Sequence, residues 1–347
     1  MSLPDPSAPR KPGRLGLYLP FGLLLAAIAL WSAFWVYARG ELARRLDTAT
    51  ADLATAGYQV AWKDREIRGY PFRMDVTLTD VRAREPSGWG LTAPRLEAEA
   101  NAYDLGHWLV AAPAGLTFIR PVGGPVAVSG RLVRASLSHL ASRPPSFSFE
   151  GVDLAFQPAP GAQPFALTAA GRVEFHLRAG PDDEGGVFLS VEGGRARLSG
   201  LFARLAGARP IAITWNSTLS KMSAFAGRDW PDAVRRWTDA GGRMTVRNAG
   251  VTAGDALVSA DSGALGVGHD GRLTGVLNLS LRQAPRALSA MGETGVIAPD
   301  AAQSAADVAR AREGPGAAAR AALTFQAGRT TFGPIAVGPA PKVYDPR

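Results

Sequence analysis

The chain has 347 residues, a formal net charge of +8 and no cysteine. The lack of cysteine excludes disulfides, thiolate metal sites and cysteine nucleophiles, and four scattered histidines leave little for zinc. With 46% hydrophobic and 20% charged residues, the composition is that of a folded protein, which excludes wholesale disorder. High use of Arg, Ala and Gly with little Lys is typical of a GC-rich bacterial genome. We expect no nucleic-acid partner, because no Lys/Arg-rich run with interleaved aromatic residues occurs.

The first predicted element is a transmembrane helix at residues 15–38, a segment of 24 residues without a charge. At about 1.5 Å per residue it is long enough to span a hydrocarbon core of about 30 Å. Tyr18 lies near one end, and Trp31, Trp35 and Tyr37 lie near the other, where aromatic rings favour the headgroup region. We therefore predict a single-pass anchor in the bacterial inner membrane.

Basic residues on both sides of this segment bear on its orientation. The tail at residues 1–14 is basic and precedes an apolar stretch, as in a signal anchor, which leaves the tail in the cytoplasm and exports the rest to the periplasm. Three arginines follow the segment closely, so the positive charge is nearly equal on its two sides: Arg39, Arg44 and Arg45. A cleaved signal peptide, with Val36 and Ala38 before the cut, is the alternative, but its apolar region would be too long.

The spacing of apolar residues changes within the chain that follows the predicted transmembrane helix. Residues 39–57 predict a juxtamembrane helix, because they lack proline and place Leu42, Leu46 and Leu53 at helical spacings, with Gly57 as the expected end. Beyond Gly57 the period becomes two, which predicts a periplasmic β-rich domain over residues 58–347.

Alternating segments define the predicted fold class. Residues 94–103, 172–178, 211–215 and 272–281 each place apolar side chains on one face and polar ones on the other. Such half-buried strands belong to antiparallel sheets. Clusters of Gly and Pro separate them, and no alternation of strands and helices indicates a parallel sheet. We predict a mainly β fold, a long curled antiparallel sheet of roughly a dozen or more strands with a few covering helices.

Few segments after the membrane predict helices. Pro231 opens one, with Val234 and Trp237 on its apolar edge and Gly241 as its stop. An Ala-rich insertion at about residues 284–314 predicts two more, at 284–293 and 299–313. Two roles stay open for these two helices, namely covering an open face of the sheet and forming a mobile surface insertion.

No motif in the sequence predicts catalysis. Residues 266–271 match G-x-G-x-x-G, but a strand follows them where a dinucleotide fold needs a helix, so we predict a β-hairpin with a turn at Asp270 and Gly271. Residues 182–184 are acidic and lie between glycines, which we interpret as a solvated turn rather than a calcium site. Phosphate-loop, zincin and hydrolase-elbow motifs do not occur. We therefore predict no catalytic residue, no cofactor and no metal ligand.

Four phenylalanines come from adjacent predicted strands: Phe147, Phe149, Phe156 and Phe165. An apolar-lined groove needs this arrangement, but so does an ordinary sheet core, which is the favoured interpretation.

One segment resembles a known family. Residues 59–84 carry a G-Y/F-P-F-R-x-D-V-T-L-T-D signature similar to that of domain of unknown function 2125 (DUF2125), an uncharacterised, mainly alphaproteobacterial family, and residues 328–344 resemble that family's ending. The motif positions, of unknown role, are Gly69, Tyr70, Pro71, Phe72, Arg73, Asp75, Val76, Thr77, Leu78, Thr79 and Asp80. The resemblance implies a membrane-tethered envelope protein and brings no accepted catalytic residues. Physically, a structural role is the favoured interpretation of the motif, with a bend at Gly69 and Pro71.

Three functional hypotheses follow. The leading one is a non-enzymatic inner-membrane protein whose periplasmic β-domain supports envelope structure or handles lipid, an architecture that resembles the AsmA-like proteins in fold only. The alternative is a protein-interaction scaffold of the cell envelope, and a more distant one is a carboxylate-based periplasmic hydrolase. A continuous apolar groove favours the first, an exposed apolar patch without a groove the second, and two acidic side chains facing each other across a pocket the third.

Overall fold

The computed structural model describes residues 15–140, 142, 144–196, 209–253, 256–293, 298–312 and 319–345. Within these ranges the chain forms one long N-terminal helix, three shorter helices and an antiparallel sheet of 18 strands. The predicted fold class is thereby confirmed. The basic tail predicted at residues 1–14 lies wholly outside the described residues, which begin at Leu15.

The N-terminal helix α1 (Leu15–Thr55) is continuous over 41 residues. It is long and apolar enough to cross a membrane, and it runs without a break from the predicted anchor into the predicted juxtamembrane helix. It ends where Gly57 adopts a φ of +89° and the Tyr58 N–H donates to the carbonyl of Leu53 at 2.9 Å. A glycine in this left-handed conformation is a common helix stop, as the sequence predicts.

The first half of the sheet contains two places where a pair of short strands lies along one long strand. The strands are β1 (Gln59–Ala61), β2 (Asp64–Arg68), β3 (Arg73–Arg84), β4 (Gly90–Asn101), β5 (Asp104–Ala111), β6 (Leu116–Arg120), β7 (Gly124–Ser129), β8 (Leu132–Ser138) and β9 (Ser146–Pro158). β1 and β2 both pair with β3, and β5 and β6 both pair with β4. β8 and β7 continue these two branches, which rejoin on β9.

The second half is a meander in which each strand pairs with the next. It comprises β10 (Leu167–Ala179), β11 (Gly185–Ala196), β12 (Ile211–Leu219), β13 (Met244–Ala253), β14 (Ala256–Val267), β15 (Leu273–Arg282), β16 (Ala319–Gln326), β17 (Arg329–Phe332) and β18 (Ile335–Pro339). The predicted hairpin at Asp270 and Gly271 joins β14 to β15, with Val267 paired to Leu273. Gly271 has a φ of +74°, and its N–H donates a hydrogen bond to the carbonyl of Gly268. The hairpin interpretation is confirmed.

Three shorter helices accompany the sheet: α2 (Trp230–Asp239), α3 (Ala284–Glu293) and α4 (Pro299–Arg312). The last two match the helices predicted from the Ala-rich region, whose residues 294–297 and 313–314 lie outside the described residues. Ala290 of α3 and Ala309 of α4 pack with Leu279 and Leu323 of the sheet. These helices therefore cover one end of the sheet face, the first of the two roles left open by the sequence.

One face of the sheet carries an unbroken row of apolar residues in which each residue pairs with the next across a strand boundary. Side chains of such paired residues point to the same face. We call this set the apolar row: Ile67, Val76, Ala98, Val110, Ala135, Phe149, Phe175, Leu189, Trp215, Ala249, Ala260, Leu279 and Ala321.

The other face of the sheet is polar. Glu150 forms ion pairs with Arg134 at 2.5 Å and with Arg172 at 2.9 Å, and Arg172 also reaches Glu174 at 2.8 Å. These charges alternate in sequence with Phe149 and Phe175 of the apolar row. The period-two pattern of the sequence therefore separates a charged face from an apolar face, as predicted for a half-buried antiparallel sheet.

The apolar row runs between two packed ends. At one end, Trp35 and Ala38 of α1 are buried against Met74, Val76 and their neighbours. At the other end α3 and α4 pack on the last strands. In the middle, four large members of the row are only half-buried: Phe149, Phe175, Leu189 and Trp215.

Candidate functional site

An apolar cavity of about 520 Å³ lies beside the middle of the apolar row. Strands β10 to β15 contribute its sheet side, and α2 with a short 3-10 turn at residues 222–224 contributes the opposite side. A volume between about 300 and 1,000 Å³ is typical of sites for small ligands. Its main lining residues are Phe175, Leu177, Val187, Leu219, Met222, Phe225, Trp230, Val234, Trp237, Met244, Leu265, Leu273 and Val343.

The sheet side of the cavity follows from strand alternation. Phe175 belongs to the apolar row, and Leu177, two residues further along β10, pairs with Val187 on β11. The two residues that alternate with them point to the polar face, where His176 contacts Ser148 at 2.9 Å and Glu174 is ion-paired. The cavity is thus an extension of the apolar row toward α2.

Local sequence signals fix the position of α2. Asp229 caps its start, because its carboxylate accepts a hydrogen bond of 2.9 Å from the Asp232 N–H, and Pro231 lies in the first turn. Val234 and Trp237 then face the cavity and are 2% and 3% exposed. The apolar edge predicted for this helix is therefore the edge that encloses the cavity.

The end of α2 requires glycine for a steric reason. Gly241 has a φ of +76°, and the Gly242 N–H donates to the carbonyl of Trp237 at 2.8 Å. A Cβ at Gly242 would come within 2.2 Å of the Trp237 indole. Because Gly242 has no side chain, the Trp237 indole packs against the backbone at the end of the helix, where it lines the cavity.

The polar side-chain groups of Trp230, Trp237 and Ser223 at the cavity wall are hydrogen-bonded within the protein. The indole N–H of Trp237 donates to the carbonyl of Ser220 at 2.6 Å, and that of Trp230 donates to Val343 at 2.9 Å. The hydroxyl of Ser223 donates to the carboxylate of Asp183 at 2.8 Å. The surfaces left to face the cavity are those of aromatic rings and aliphatic side chains.

The lining carries no ionisable side chain among its described residues. On α2, the carboxylate of Asp232 accepts a hydrogen bond from the Arg228 N–H and is paired with Arg235 and Arg236. The backbone hydrogen bond from Arg228, followed by these arginines, holds the pKa of Asp232 below its ordinary value. This group stabilises α2, and the described lining of the cavity, almost wholly aromatic and aliphatic, suits an apolar ligand.

The four phenylalanines singled out in the sequence separate into different environments. Phe149 and Phe156 pack in a cluster with Leu154 and Val133, as an ordinary core requires. Phe156 also contacts Phe165, with ring centroids 5.2 Å apart. Phe147 contacts Phe175, which lines the cavity, with centroids 6.0 Å apart.

The family-motif positions lie in the turn between β2 and β3 and in the first part of β3, and none lines the cavity. Gly69 has a φ of +105° in a turn between β2 and β3, and the Arg73 N–H donates to its carbonyl at 2.8 Å. Tyr70, Pro71 and Arg73 contact α1 through three hydrogen bonds involving Ser32, Trp31 and Trp35.

Two acidic motif positions have local roles. Asp75 is ion-paired with Arg73 at 3.3 Å. Asp80 has a φ of +49° where the pairing of β3 passes from β2 to β1, a conformation that Asp tolerates better than most residues. Both observations agree with a structural role for the motif, since each group acts within its own part of the sheet.

Several cavity residues were not anticipated from the sequence. Met222 and Phe225 lie in a short segment without a periodic pattern, between a strand and a helix. Asp183, interpreted as part of a solvated turn, accepts hydrogen bonds from both the N–H and the hydroxyl of Ser223 and so fixes that segment. The only sequence signal available was the density of apolar residues before α2, which does not reveal the strand ends they pack on.

Together these features define a β-rich protein with an N-terminal helix able to cross a membrane and an apolar cavity of ligand size. The chain belongs to the family described as "Uncharacterized protein conserved in bacteria (DUF2125)", whose model matches residues 35–341. The match begins at Trp35, the residue that α1 buries against the β-domain. No curated protein and no solved structure matches the chain.

Proposed function

We propose that this protein is a non-enzymatic component of the bacterial envelope, held in the inner membrane by α1, whose periplasmic β-domain binds lipid acyl chains. The observation that carries the proposal is the apolar cavity of about 520 Å³ whose described lining residues include no ionisable side chain. A hydrocarbon chain is the ligand whose binding needs burial of apolar area and no directional polar contact.

The apolar row supports the same ligand class. It connects the strands packed on α1 with Phe175 in the cavity, so an extended hydrocarbon chain finds apolar side chains along one face of the sheet. Its half-buried members, such as Leu189 and Trp215, retain surface that an acyl chain would remove from water. Each Å² of apolar surface buried in this way contributes roughly 25 cal/mol before the entropic cost of binding.

A hydrolase would need a pair of carboxylates across the pocket, and the cavity lining has none among its described residues. For this reason we favour binding over catalysis. A scaffold role remains the competing hypothesis, in which the same apolar face receives a protein segment.

Site-specific photo-crosslinking separates these hypotheses in the full chain. Benzoyl-phenylalanine placed at Leu177 faces the cavity, whereas at Arg178, the next residue on β10, it faces the other side of the sheet. After irradiation in the bacterial envelope, we expect adducts of lipid mass on the Leu177 variant and not on the Arg178 variant. Adducts of protein at Leu177 would support the scaffold role instead, and the absence of any lipid adduct there would refute the proposal.

Membrane topology has its own test, because the chain contains no cysteine. A cysteine introduced at the exposed Val122 is the single thiol of that variant. A membrane-impermeant maleimide added to cells with a permeabilised outer membrane should label it if the β-domain is periplasmic. Labelling that requires lysis of the inner membrane would place the domain in the cytoplasm and contradict this part of the proposal.

A further inference from the structure

Two neighbouring turns of the β-domain expose aromatic side chains. One turn joins β2 to β3 at residues 69–72, and the other joins β4 to β5 at residues 101–104. They lie side by side, since the Ala102 N–H donates to the carbonyl of Phe72 at 2.8 Å. Tyr70, Phe72 and Tyr103 are 52%, 64% and 71% exposed, and we call these three residues the aromatic patch.

The aromatic patch is fixed to α1. The indole N–H of Trp31 donates to the carbonyl of Pro71 at 2.8 Å, and the Tyr70 hydroxyl lies within hydrogen-bond distance of the Ser32 hydroxyl, at 2.8 Å. The rings of Trp31 and Phe72 have centroids 6.3 Å apart. These contacts fix the position of the first turn along the axis of α1.

That height coincides with the end of a membrane span. From Leu15 to Trp35 the helix rises about 30 Å at about 1.5 Å per residue, which equals the thickness of a hydrocarbon core. Residues 18–30 of α1 are exposed in the structure, and burial by the β-domain begins with Trp31 and Trp35. The β-domain thus contacts the helix directly at the level where the hydrocarbon would end, without an intervening linker.

The chemistry of the surrounding residues matches a membrane interface. Tyr, Trp and Phe favour the boundary between headgroups and acyl chains, because their rings are apolar and the first two also carry a polar group. Arg39, one turn beyond Trp35, is exposed with its guanidinium 6.0 Å from the Trp35 ring centroid. An arginine at this level lies within reach of anionic phospholipid headgroups.

We propose that the aromatic patch inserts into the headgroup and acyl boundary of the bilayer that α1 crosses, so that the β-domain stands on the membrane in a fixed orientation. The inference rests on the proposed membrane span of α1 and assigns a lipid-contacting role to two positions of the family motif, Tyr70 and Phe72. It also sets the start of the apolar row at the bilayer surface, since Ile67 lies two residues before Gly69, where the first turn begins.

Single-cysteine labelling tests this inference cleanly in the cysteine-free chain. Phe72→Cys is compared with Val122→Cys, which replaces another exposed hydrophobic residue, at 69% exposure. Strand β3 leads from Arg73 to Arg84 over about 36 Å, and the β6 strand preceding Val122 pairs with β4 at that far end. Leu24→Cys, on the exposed part of α1, reports on the span itself.

Each full-length variant carries an environment-sensitive nitrobenzoxadiazole dye and is reconstituted in vesicles of phosphatidylethanolamine and phosphatidylglycerol. We expect the dye at position 72 to show blue-shifted emission and quenching by a nitroxide placed near the headgroup, and the dye at position 122 to show neither. Tyr103→Cys should behave like Phe72→Cys.

The two proposals fail in distinguishable ways. If the dye at position 24 is quenched by a deep nitroxide while positions 72 and 103 resemble position 122, the span stands and the interfacial contact is refuted. If position 24 also resembles position 122, the membrane span itself is refuted, and the contact that depends on it falls too.

Discussion

The indole N–H of Trp35 donates a hydrogen bond of 3.0 Å to the main-chain carbonyl of Arg73, which joins the membrane-compatible helix to the first long strand of the sheet. Trp35 is 6% exposed and packs with Ile67, Met74 and Val76. Trp35, Ala38 and Leu42 of α1 consequently belong to the core cluster beside the first strands. The family model begins at Trp35.

Replacement of Trp35 by alanine should therefore destabilise the β-domain. Truncating a buried tryptophan costs about 3–5 kcal/mol through lost burial and the cavity it leaves. Thermal unfolding of the full chain in detergent, followed by circular dichroism, measures the loss. Tyr37→Ala is the matched control on the same helix, because Tyr37 is 65% exposed, and we expect little change there. Equal melting temperatures for the two variants would contradict the docking of α1.

Filling the cavity should reduce lipid binding without unfolding the protein. Ala226 lies at the exposed rim of the cavity, so Ala226→Trp directs an indole into it at little cost to the core. We expect fewer lipid adducts from the crosslinker at Leu177 in this background. Thr245→Trp is the control, since Thr245 follows the lining residue Met244 on β13 but is exposed. Unchanged adduct yield in a folded Ala226→Trp protein would show that the lipid lies elsewhere.

Asp232 should make the stability of α2 depend on pH. Its pKa in the folded protein lies below the ordinary value of 3.8, chiefly because of the hydrogen bond from the Arg228 N–H. A lowered folded-state pKa gives stabilisation that is present in full above the ordinary value and is lost as the pH falls through the folded-state pKa.

Asp232→Asn should accordingly melt at a lower temperature than the unsubstituted protein at neutral pH, and the difference should shrink as the pH falls below 3.8. Asp153→Asn, at a carboxylate that is 62% exposed, controls for the loss of one negative charge. A difference that stays constant between neutral and acidic pH would contradict the assigned role of Asp232.

Gly69 should resist substitution more strongly than another glycine of similar conformation. Its φ is +105°, and a Cβ there would lie 2.7 Å from the carbonyl oxygen of Arg73. Gly161 has a φ of +79° but open space around a Cβ. Gly161→Ala should therefore cost only the left-handed conformation, about 1–2 kcal/mol, whereas Gly69→Ala adds the steric conflict. Similar free energies of unfolding for both variants would show that the turn at Gly69 relaxes freely.

The sequence alone predicted the elements that depend on local pattern. The charge-free stretch before Arg39 predicted a membrane-compatible helix, the period of two predicted the antiparallel strands, and Pro231 and Gly241 predicted the limits of α2. These predictions succeeded because burial on one face, helix caps and tight turns impose constraints on residues a few positions apart.

The tertiary structure decided how these elements meet. The cavity joins residues as distant in sequence as Pro144 and Val343, and the partner of Trp35 is a main-chain carbonyl on another element. The alternation of side chains along a strand predicts that Phe175 and Leu177 share a face. Which residues lie beside them is set by the register of the neighbouring strands, and register depends on long-range pairing. The sequence by itself therefore determined a membrane-compatible helix and a two-faced antiparallel sheet. The position of the apolar cavity depends on the long-range pairing of that sheet and on its packing against α2.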